Sequence, residues 1–277
     1  NWEDVHHARN RLAFDELFFL HLRSQLIKKD IKANQAPPLS FQESETKKLV
    51  NNLPFSLTNA QRKTAWEILQ DMEKDKPMAR LLEGDVGSGK TVVAAIAMLN
   101  AALSSSENNY QSVLMAPTEI LAYQHYQTIT SILKNFSISI ALFTRNKKLI
   151  LEKQEEKNVK KGELMDIIKN GKVDIVIGTH ALIQENMSFH DLALAIVDEQ
   201  HRFGVEQRKT LVNKSGNKNT IPHLLSMTAT PIPRSLALAL FSDLDISIIN
   251  ELPQGRKPII TKIVPPQDQK NAYEFIK

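Results

Sequence analysis

Short apolar runs alternate with helical patterns through most of this chain. The runs lie at residues 81–82, 113–116, 138–143, 174–177, 194–197 and 224–227, and each is bounded by polar or turn residues. Strands that are apolar on both faces belong in a sheet that helices cover on both sides. We therefore predict an α/β fold with a mostly parallel sheet flanked by helices, which places ligands at the carboxyl ends of the strands.

The first thirty residues follow a helical pattern without such runs. Val5, Ala8 and Leu12 begin a series of apolar residues spaced three or four apart, and further apolar residues widen the stripe beyond one face. We expect one long helix that packs on two sides and connects domains. Two prolines, Pro37 and Pro38, break the pattern after it.

Residues 147–172 are dense in lysine and glutamate, with apolar residues between the charges. We interpret this segment as two solvated helices whose charges cover the outer face. A contact between these lysines and nucleic acid is the alternative.

A glycine-rich segment follows the first predicted strand and leads into an apolar helical pattern. Residues 84–91 fit the pattern G-x-x-x-x-G-K-[ST], in which backbone N–H groups of the loop and of the helix start favour a bound phosphate. The loop residues that would touch the phosphates are Gly84, Gly87, Ser88 and Gly89. Lys90 would reach the β- and γ-phosphates of ATP, and the Thr91 hydroxyl would ligate Mg²⁺.

The composition is ordinary for a globular protein. Of the 277 residues, 42% are hydrophobic and 24% are charged, which argues against disorder. The absence of cysteine excludes disulfides, thiolate metal sites and cysteine nucleophiles. The net charge of +4 suits a polyanionic partner without establishing one.

No apolar run approaches the ~18 residues of a membrane span, and the N-terminus lacks a signal-peptide pattern. We therefore expect a cytoplasmic protein, of which this chain is a piece.

Two acids follow the predicted strand at 194–197. Asp198 fits the carboxylate that holds Mg²⁺ in a phosphate-loop enzyme, and Glu199 fits the group that orients and deprotonates the attacking water. Gln200 and His201 come next and are candidates to sense the γ-phosphate. A solvated Asp-Glu pair at a strand end is the structural alternative, but its occurrence together with the phosphate loop favours the catalytic interpretation.

A capped helix precedes the phosphate loop. Thr58 is a suitable N-cap residue, which puts Gln61 in the first helical turn. The amide of Gln61 could make paired hydrogen bonds with an adenine edge, and Phe55 is a further candidate for the nucleotide site. The alternative is a capped surface helix with an ordinary exposed glutamine.

Two threonines, Thr228 and Thr230, end the last predicted strand. Their hydroxyls could bond the acids and relay the state of the nucleotide to moving parts. A turn containing two prolines is an equally good interpretation of the local sequence.

Five separated strings together resemble a known family. Residues 84–91, 198–201 and 228–230 look like motifs I, II and III of superfamily 2 helicases. The longer strings 84–91, 115–122, 178–182, 198–205 and 228–234 resemble the RecG family of bacterial ATP-dependent DNA helicases, which remodel stalled forks and branched junctions. The match covers nearly the whole chain from Leu53 onward.

The resemblance implies a RecA-like motor domain that uses ATP and Mg²⁺ and acts on branched or forked DNA. It makes Gln61 the adenine-reading residue and gives Lys90, Thr91, Asp198 and Glu199 the roles described above. It also implies that two loops face the DNA backbone and hold phosphates without reading sequence. The loop residues are Pro117, Thr118 and Glu119 in one and Gly178, Thr179 and His180 in the other.

The domain boundaries also follow from the resemblance. Residues 1–50 correspond to a connector helix and linker from a DNA-binding wedge domain, 51–250 to the first motor domain, and 251–277 to the link into a second. ATP in such motors lies between two domains, and the second supplies an arginine finger. We therefore expect the chain alone to bind nucleotide weakly and to hydrolyse it very slowly.

One segment departs from the family pattern, and two other functions stay open. Family members carry a Thr-Gly-Ser-like turn where this chain has Thr144, Arg145 and Asn146, so the resemblance does not assign that DNA contact to this segment. One alternative is the motor of a transcription-repair coupling factor. The other is a nucleotide-dependent interaction module without motor activity.

Overall fold

The computed structural model describes residues 2–104, 110–183, 187–199, 220–230, 244–251 and 263–276. Its centre is a nine-stranded sheet with the order β5-β4-β3-β6-β2-β7-β8-β1-β9. The strands are β1 (Ala79–Gly84), β2 (Gln111–Met115), β3 (Ile140–Phe143), β4 (Lys148–Glu152), β5 (Glu155–Asn158), β6 (Ile175–Gly178), β7 (Leu192–Asp198), β8 (His223–Thr228) and β9 (Asp245–Ile249). Seven of them run parallel, which confirms the mostly parallel sheet.

Helices between residues 43 and 169 flank this sheet, and two further helices lie at residues 2–33 and 269–276. They are α1 (Trp2–Ala33), α2 (Glu43–Asn51), α3 (Asn59–Met72), α4 (Lys90–Leu103), α5 (Glu119–Leu133), α6 (Lys161–Lys169) and α7 (Gln269–Ile276). Short 3₁₀ turns occupy His180–Ile183 and Pro266–Asp268.

Alternate residues of the central strands enter two separate cores. Leu114 and Ile196 pack into the core that contains α3, α4 and α5, whereas Val113 and Val197 pack into the core that contains α6. Helix α4 is buried over most of its length, because it lies in the middle of the first core. This three-layer packing explains why the central strands are apolar on both faces.

The prediction of two solvated helices over residues 147–172 was wrong for the first half of that segment. Strands β4 and β5 form an antiparallel hairpin there, and only α6 is helical. The turn of the hairpin consists of Lys153 and Gln154, with φ of 50° and 67°. Two consecutive left-handed residues are typical of a tight hairpin turn, which normally contains asparagine or glycine. The four residues of β5 are exposed at the edge of the sheet.

The predicted N-terminal helix is confirmed as α1 and extends to Ala33. Large apolar side chains along it are exposed, among them Trp2, Leu12 and Phe19, so packing on two sides is not found among the described residues. Near its end Lys28 forms an ion pair of 2.7 Å with Asp245 of β9. Within the described parts of the chain, no helix combines the length and hydropathy needed to cross a bilayer.

Candidate functional site

The phosphate loop connects β1 to α4 at the carboxyl edge of the sheet. Gly84 ends the strand and Gly89 is the N-cap of the helix, with a left-handed φ of 91°. Gly87 also has positive φ, of 78°. These conformations are open to glycine and strained for other residues. The loop therefore has the left-handed backbone that its glycines allow, and its role as a phosphate cradle stays a prediction.

Lys90 lies at the first position of α4 and folds back over the loop. Its Nζ donates to the carbonyl oxygens of Gly84, at 2.6 Å, and of Asp85, at 3.1 Å. Burial lowers the pKa of Lys90, and the negative charges of Asp198, Glu199 and Asp85 act in the opposite direction. Lys90 and the two predicted catalytic acids are thus close enough for their charges to interact.

Ser88 supplies a buried hydroxyl inside the loop. The residue is 1% exposed, and its Oγ has no hydrogen-bond partner among the described residues. A buried hydroxyl without a partner is costly unless a ligand or water satisfies it. A phosphate oxygen is a suitable acceptor, so this orphaned group fits a bound nucleotide.

Gln61 is not the ordinary exposed glutamine of the alternative interpretation, because it is fully buried. Its Oε1 accepts from the Thr58 backbone N–H at 2.8 Å, while the Thr58 hydroxyl accepts from the backbone N–H of Gln61. Its Nε2 donates to the Ser88 carbonyl at 2.6 Å. The side chain therefore joins the start of α3 to the phosphate loop. Phe55, upstream of it, is 41% exposed.

Asp198 ends β7 and is 8% exposed. Its Oδ1 accepts from the Glu199 backbone N–H at 3.0 Å, and its Oδ2 lies 2.7 Å from Nε2 of His125. Glu199 has a φ of 54°, which is unusual for a residue with a long side chain. Such conformations are concentrated at functional sites.

Sequence reasoning missed His125. It lies on α5, 73 residues before Asp198, and only the fold brings the two together. The one sequence signal is its position seven residues after Thr118, on the same face of a helix.

The two threonines at the end of β8 bond to each other. Their hydroxyl oxygens are 2.9 Å apart, and the Thr230 backbone N–H donates to Thr228 Oγ1. Strand β8 lies between β7 and β1, with Met227 opposite Asp198 and Thr228 opposite Glu83. Thr228 therefore stands between the acids and the phosphate loop.

The two loops expected to face DNA are neighbours at the same sheet edge. Pro117 to Glu119 follow β2, Thr179 and His180 follow β6, and the Ala116 N–H donates to the Gly178 carbonyl at 2.8 Å. A Cβ on Gly178 would lie 2.2 Å from the Phe143 carbonyl oxygen. Strands β3 and β6 can therefore approach this closely only because residue 178 is glycine.

Thr118 is the N-cap of α5, since its Oγ1 accepts from the Leu121 N–H. Residues 144–146, which depart from the family pattern, also lie at this edge, where the Asn146 amide donates to the Glu119 carboxylate at 3.0 Å.

The carboxyl edge is thus divided into two halves. Strands β1, β8 and β7 carry the nucleotide candidates, whereas β2, β6 and β3 carry the DNA candidates, and β7 pairs with β2 at the boundary. Two candidates, Gln200 and His201, lie outside the described residues.

Among the residues that the structure describes, no group of three or more His, Asp or Glu could hold a metal. The Thr91 hydroxyl and the Asp198 carboxylate are suitable Mg²⁺ ligands if phosphate oxygens and water complete the shell.

Comparison with known proteins places this geometry in context. Residues 58–238 match the model of the DEAD/DEAH box helicase family. The chain is 44% identical over 277 residues to the ATP-dependent DNA helicase RecG of Aquifex aeolicus, and 45% identical over 270 residues to that of Thermotoga maritima. These matches cover 100% and 98% of this chain but 33% and 32% of the relatives.

A solved structure of RecG bound to a three-way DNA junction is also similar. It aligns with a TM-score of 0.81 and 39% identity, over 100% of this chain and 35% of that one. This likeness confirms the RecA-like helicase fold that the motifs imply. The chain spans about a third of the length of the relatives it matches.

Proposed function

Because this chain belongs to the DEAD/DEAH box helicase family, we propose that it is the ATP-binding motor domain of a DNA helicase of the RecG type. The observation that carries the proposal is the division of one sheet edge into a nucleotide half and a DNA half. Residues 51–250 would form the motor domain, 1–50 the connector from a wedge domain, and 251–277 the link to a second motor domain. A cytoplasmic location belongs to the same proposal.

In this function the phosphate loop binds the triphosphate of ATP. Lys90 exchanges its carbonyl acceptors in the loop for β- and γ-phosphate oxygens, and Ser88 gains an acceptor for its buried hydroxyl. Thr91 and Asp198 would hold Mg²⁺, which when bound neutralises the charge on the phosphates. Gln61 would read the adenine edge by exchanging its present contacts with the Thr58 N–H and the Ser88 carbonyl for the base, with Phe55 against the base.

Hydrolysis then requires a base and a charge-stabilising group. Glu199 orients the attacking water and accepts its proton as the water oxygen bonds to the γ-phosphorus and the β–γ bond breaks. Gln200 and His201 would sense the γ-phosphate, and Thr228 and Thr230 would pass its loss to the rest of the motor. An arginine from a second domain would stabilise the transition state, so we expect slow turnover by the 277 residues alone.

The DNA half would bind the phosphate backbone of branched DNA. The residues proposed to face it are Pro117, Thr118, Glu119, Gly178, Thr179 and His180. Arg145 is exposed in the adjacent β3–β4 loop and adds a positive charge to this edge. Backbone contacts of this kind favour a substrate by its shape and not by its sequence. A three-way junction is the substrate class that the similar RecG complex suggests.

Replacement of the loop lysine tests the proposal. In the full-length protein, Lys90→Ala should abolish binding of a fluorescent ATP analogue and unwinding of a three-way junction. Lys134→Ala, which removes an exposed lysine on the far end of α5, is the control and should change neither. Unwinding by the Lys90→Ala protein at the wild-type rate would refute the assignment.

A further inference from the structure

The contact between His125 and Asp198 is a polar contact, among the described residues, that the proposed mechanism leaves unused. The two side chains are 12% and 11% exposed, and Nε2 to Oδ2 is 2.7 Å. An ionised carboxylate only accepts hydrogen bonds, so Nε2 of His125 is the donor. A short, shielded hydrogen bond to a charged acceptor is among the stronger polar contacts in a protein.

This contact fixes the direction of the Asp198 carboxylate. Oδ2 is held by His125 and Oδ1 by the Glu199 backbone N–H. Each carboxylate oxygen has two lone pairs, so both can accept one hydrogen bond and still leave a position for a metal. The carboxylate is therefore oriented before a metal arrives, which is the usual effect of a neighbour that bonds a ligand.

The contact also crosses the boundary between the two halves of the sheet edge. His125 is on α5, whose N-cap Thr118 belongs to the proposed DNA loop, seven residues and about 10 Å along the helix axis away. Thr118 caps the first turn of this helix, and His125 lies about two turns further along it. The histidine thus connects the helix that begins at the DNA half with the carboxylate in the nucleotide half.

Helix α5 is packed along most of its length, which joins its two ends mechanically. Ala122, Ile129 and Leu133 are buried in the core, and the hydroxyl of Tyr126 donates to Glu156 of β5 at 3.0 Å. A rigid helix that shifts as a body moves all of its side chains together.

From this geometry we infer that His125 is a positioning residue, which orients Asp198 for Mg²⁺ and links that orientation to DNA bound at the start of α5. The inference rests on the proposed function, because it takes Asp198 as the metal ligand. It adds a residue and a path between the two half-sites to that proposal.

Binding of nucleotide as Mg²⁺ is titrated tests the positioning role without measuring turnover. The probe is mant-AMPPNP, a fluorescent ATP analogue that is hydrolysed slowly, and the protein is full length. His125→Leu should raise the Mg²⁺ concentration for half-maximal binding by roughly 10- to 100-fold, the usual cost of losing a group that supports a metal ligand. His125→Gln, whose amide can donate to Asp198, should restore most of the wild-type value.

The same variants test the link to DNA. A three-way junction should change the Kd of the wild-type protein for the analogue in Mg²⁺ by a measurable factor, and His125→Leu should bring that factor towards one. Gln127→Leu, which introduces leucine at an exposed position of the same helix, is the matched control and should behave as wild type. Thermal melting of each variant shows whether the fold is kept.

The outcomes separate the two proposals. If the wild-type protein shows no Mg²⁺-dependent binding of the analogue, the proposed function fails. If it does, and His125→Leu has the wild-type Mg²⁺ requirement and DNA response, only the positioning role is refuted. If His125→Leu does not fold, His125→Met replaces it, and failure of both to fold would make the contact structural and overturn the inference.

Discussion

Gly89 and Gln61 approach so closely that a side chain at position 89 would displace the Gln61 amide. A Cβ on Gly89 would lie 2.2 Å from Nε2 of Gln61, and the residue has a φ of 91°. The phosphate loop and the start of α3 are therefore fitted to each other. The conformation of the loop depends on a glutamine buried 28 positions earlier in the sequence.

Gly89→Ala should therefore disrupt nucleotide binding. The substitution adds roughly 1–2 kcal/mol of left-handed backbone strain and pushes Gln61 away from the Ser88 carbonyl. Binding of mant-AMPPNP should be lost with a modest fall in melting temperature. Gly162→Ala in α6, where a Cβ would meet nothing within 4 Å, is the control and should leave binding unchanged. Equal binding by both variants would contradict the fitted loop.

Glu199→Gln separates a motor from an interaction module. If Glu199 accepts the proton of the attacking water, turnover by the full-length protein should fall by roughly 10²- to 10⁴-fold while nucleotide binding is kept. Phosphate release, with and without a three-way junction, measures the loss. Glu155→Gln on the exposed strand β5 should have no effect. An unchanged turnover rate would remove Glu199 from the mechanism.

His223 makes stability depend on pH. Burial lowers its pKa to about 4, against the opposing effects of the hydrogen bond to the Pro37 carbonyl and of the Asp71 charge. Its Nδ1 accepts from the Met78 N–H and its Nε2 lies 2.8 Å from the Pro37 oxygen, so the neutral ring fits both contacts.

The stabilisation from neutral His223 is complete above about pH 6.5, where the unfolded chain is also neutral, and is lost as the pH falls towards 4. The free energy of unfolding should decrease by roughly 3 kcal/mol over that range from this group alone. Urea denaturation of wild type and His223→Asn between pH 4 and 8 measures the difference. The variant should be less stable at pH 8 and less sensitive to pH, whereas His7→Asn in exposed α1 should follow wild type.

Arg80 anchors the end strands to α3. Its guanidinium, 12% exposed, bonds the Asp71 carboxylate through Nε and Nη2 and the Ser247 hydroxyl through Nη1. Burial raises the pKa of Asp71, but bonds to Lys74 and Arg80 outweigh this, so the pKa lies below its usual value. The Arg80 contact is shielded from water, while Lys74 is 61% exposed.

Arg80→Met should therefore destabilise the protein by roughly 2–4 kcal/mol, because it leaves Asp71 with a single exposed partner. Lys74→Met removes the exposed partner of the same aspartate and should cost less than about 1 kcal/mol. Chemical denaturation at pH 7 compares the two variants. Similar losses would show that shielding does not distinguish the contacts.

The sequence pattern predicted the central strands of the sheet, because their residues are apolar on both faces. The apolar runs at β1, β2, β7 and β8 are buried on both faces, so their hydrophobicity alone identified them. The hairpin of β4 and β5 was missed because its turn, Lys153 and Gln154, has left-handed φ without the usual glycine or asparagine.

The sequence named candidate residues for the site, but it did not predict the contacts between them. The glycine loop was identifiable because its chemistry lies in one segment. The contacts of Gln61 with Ser88 and of His125 with Asp198 join residues 27 and 73 positions apart, so only the packed sheet edge brings them together. The spacing of residues along the sequence cannot predict such contacts unless the fold is already known.

The outermost strand β5 has the sequence Glu-Glu-Lys-Asn and is exposed along its whole length. The free side of an edge strand can pair with a strand of a second molecule, and closely spaced charges discourage that pairing. The charges of β5 therefore protect this edge of the nine-stranded sheet from pairing with another molecule. Apolar replacements on β5 should cause aggregation at high protein concentration, while nucleotide binding by the remaining soluble protein should be unchanged.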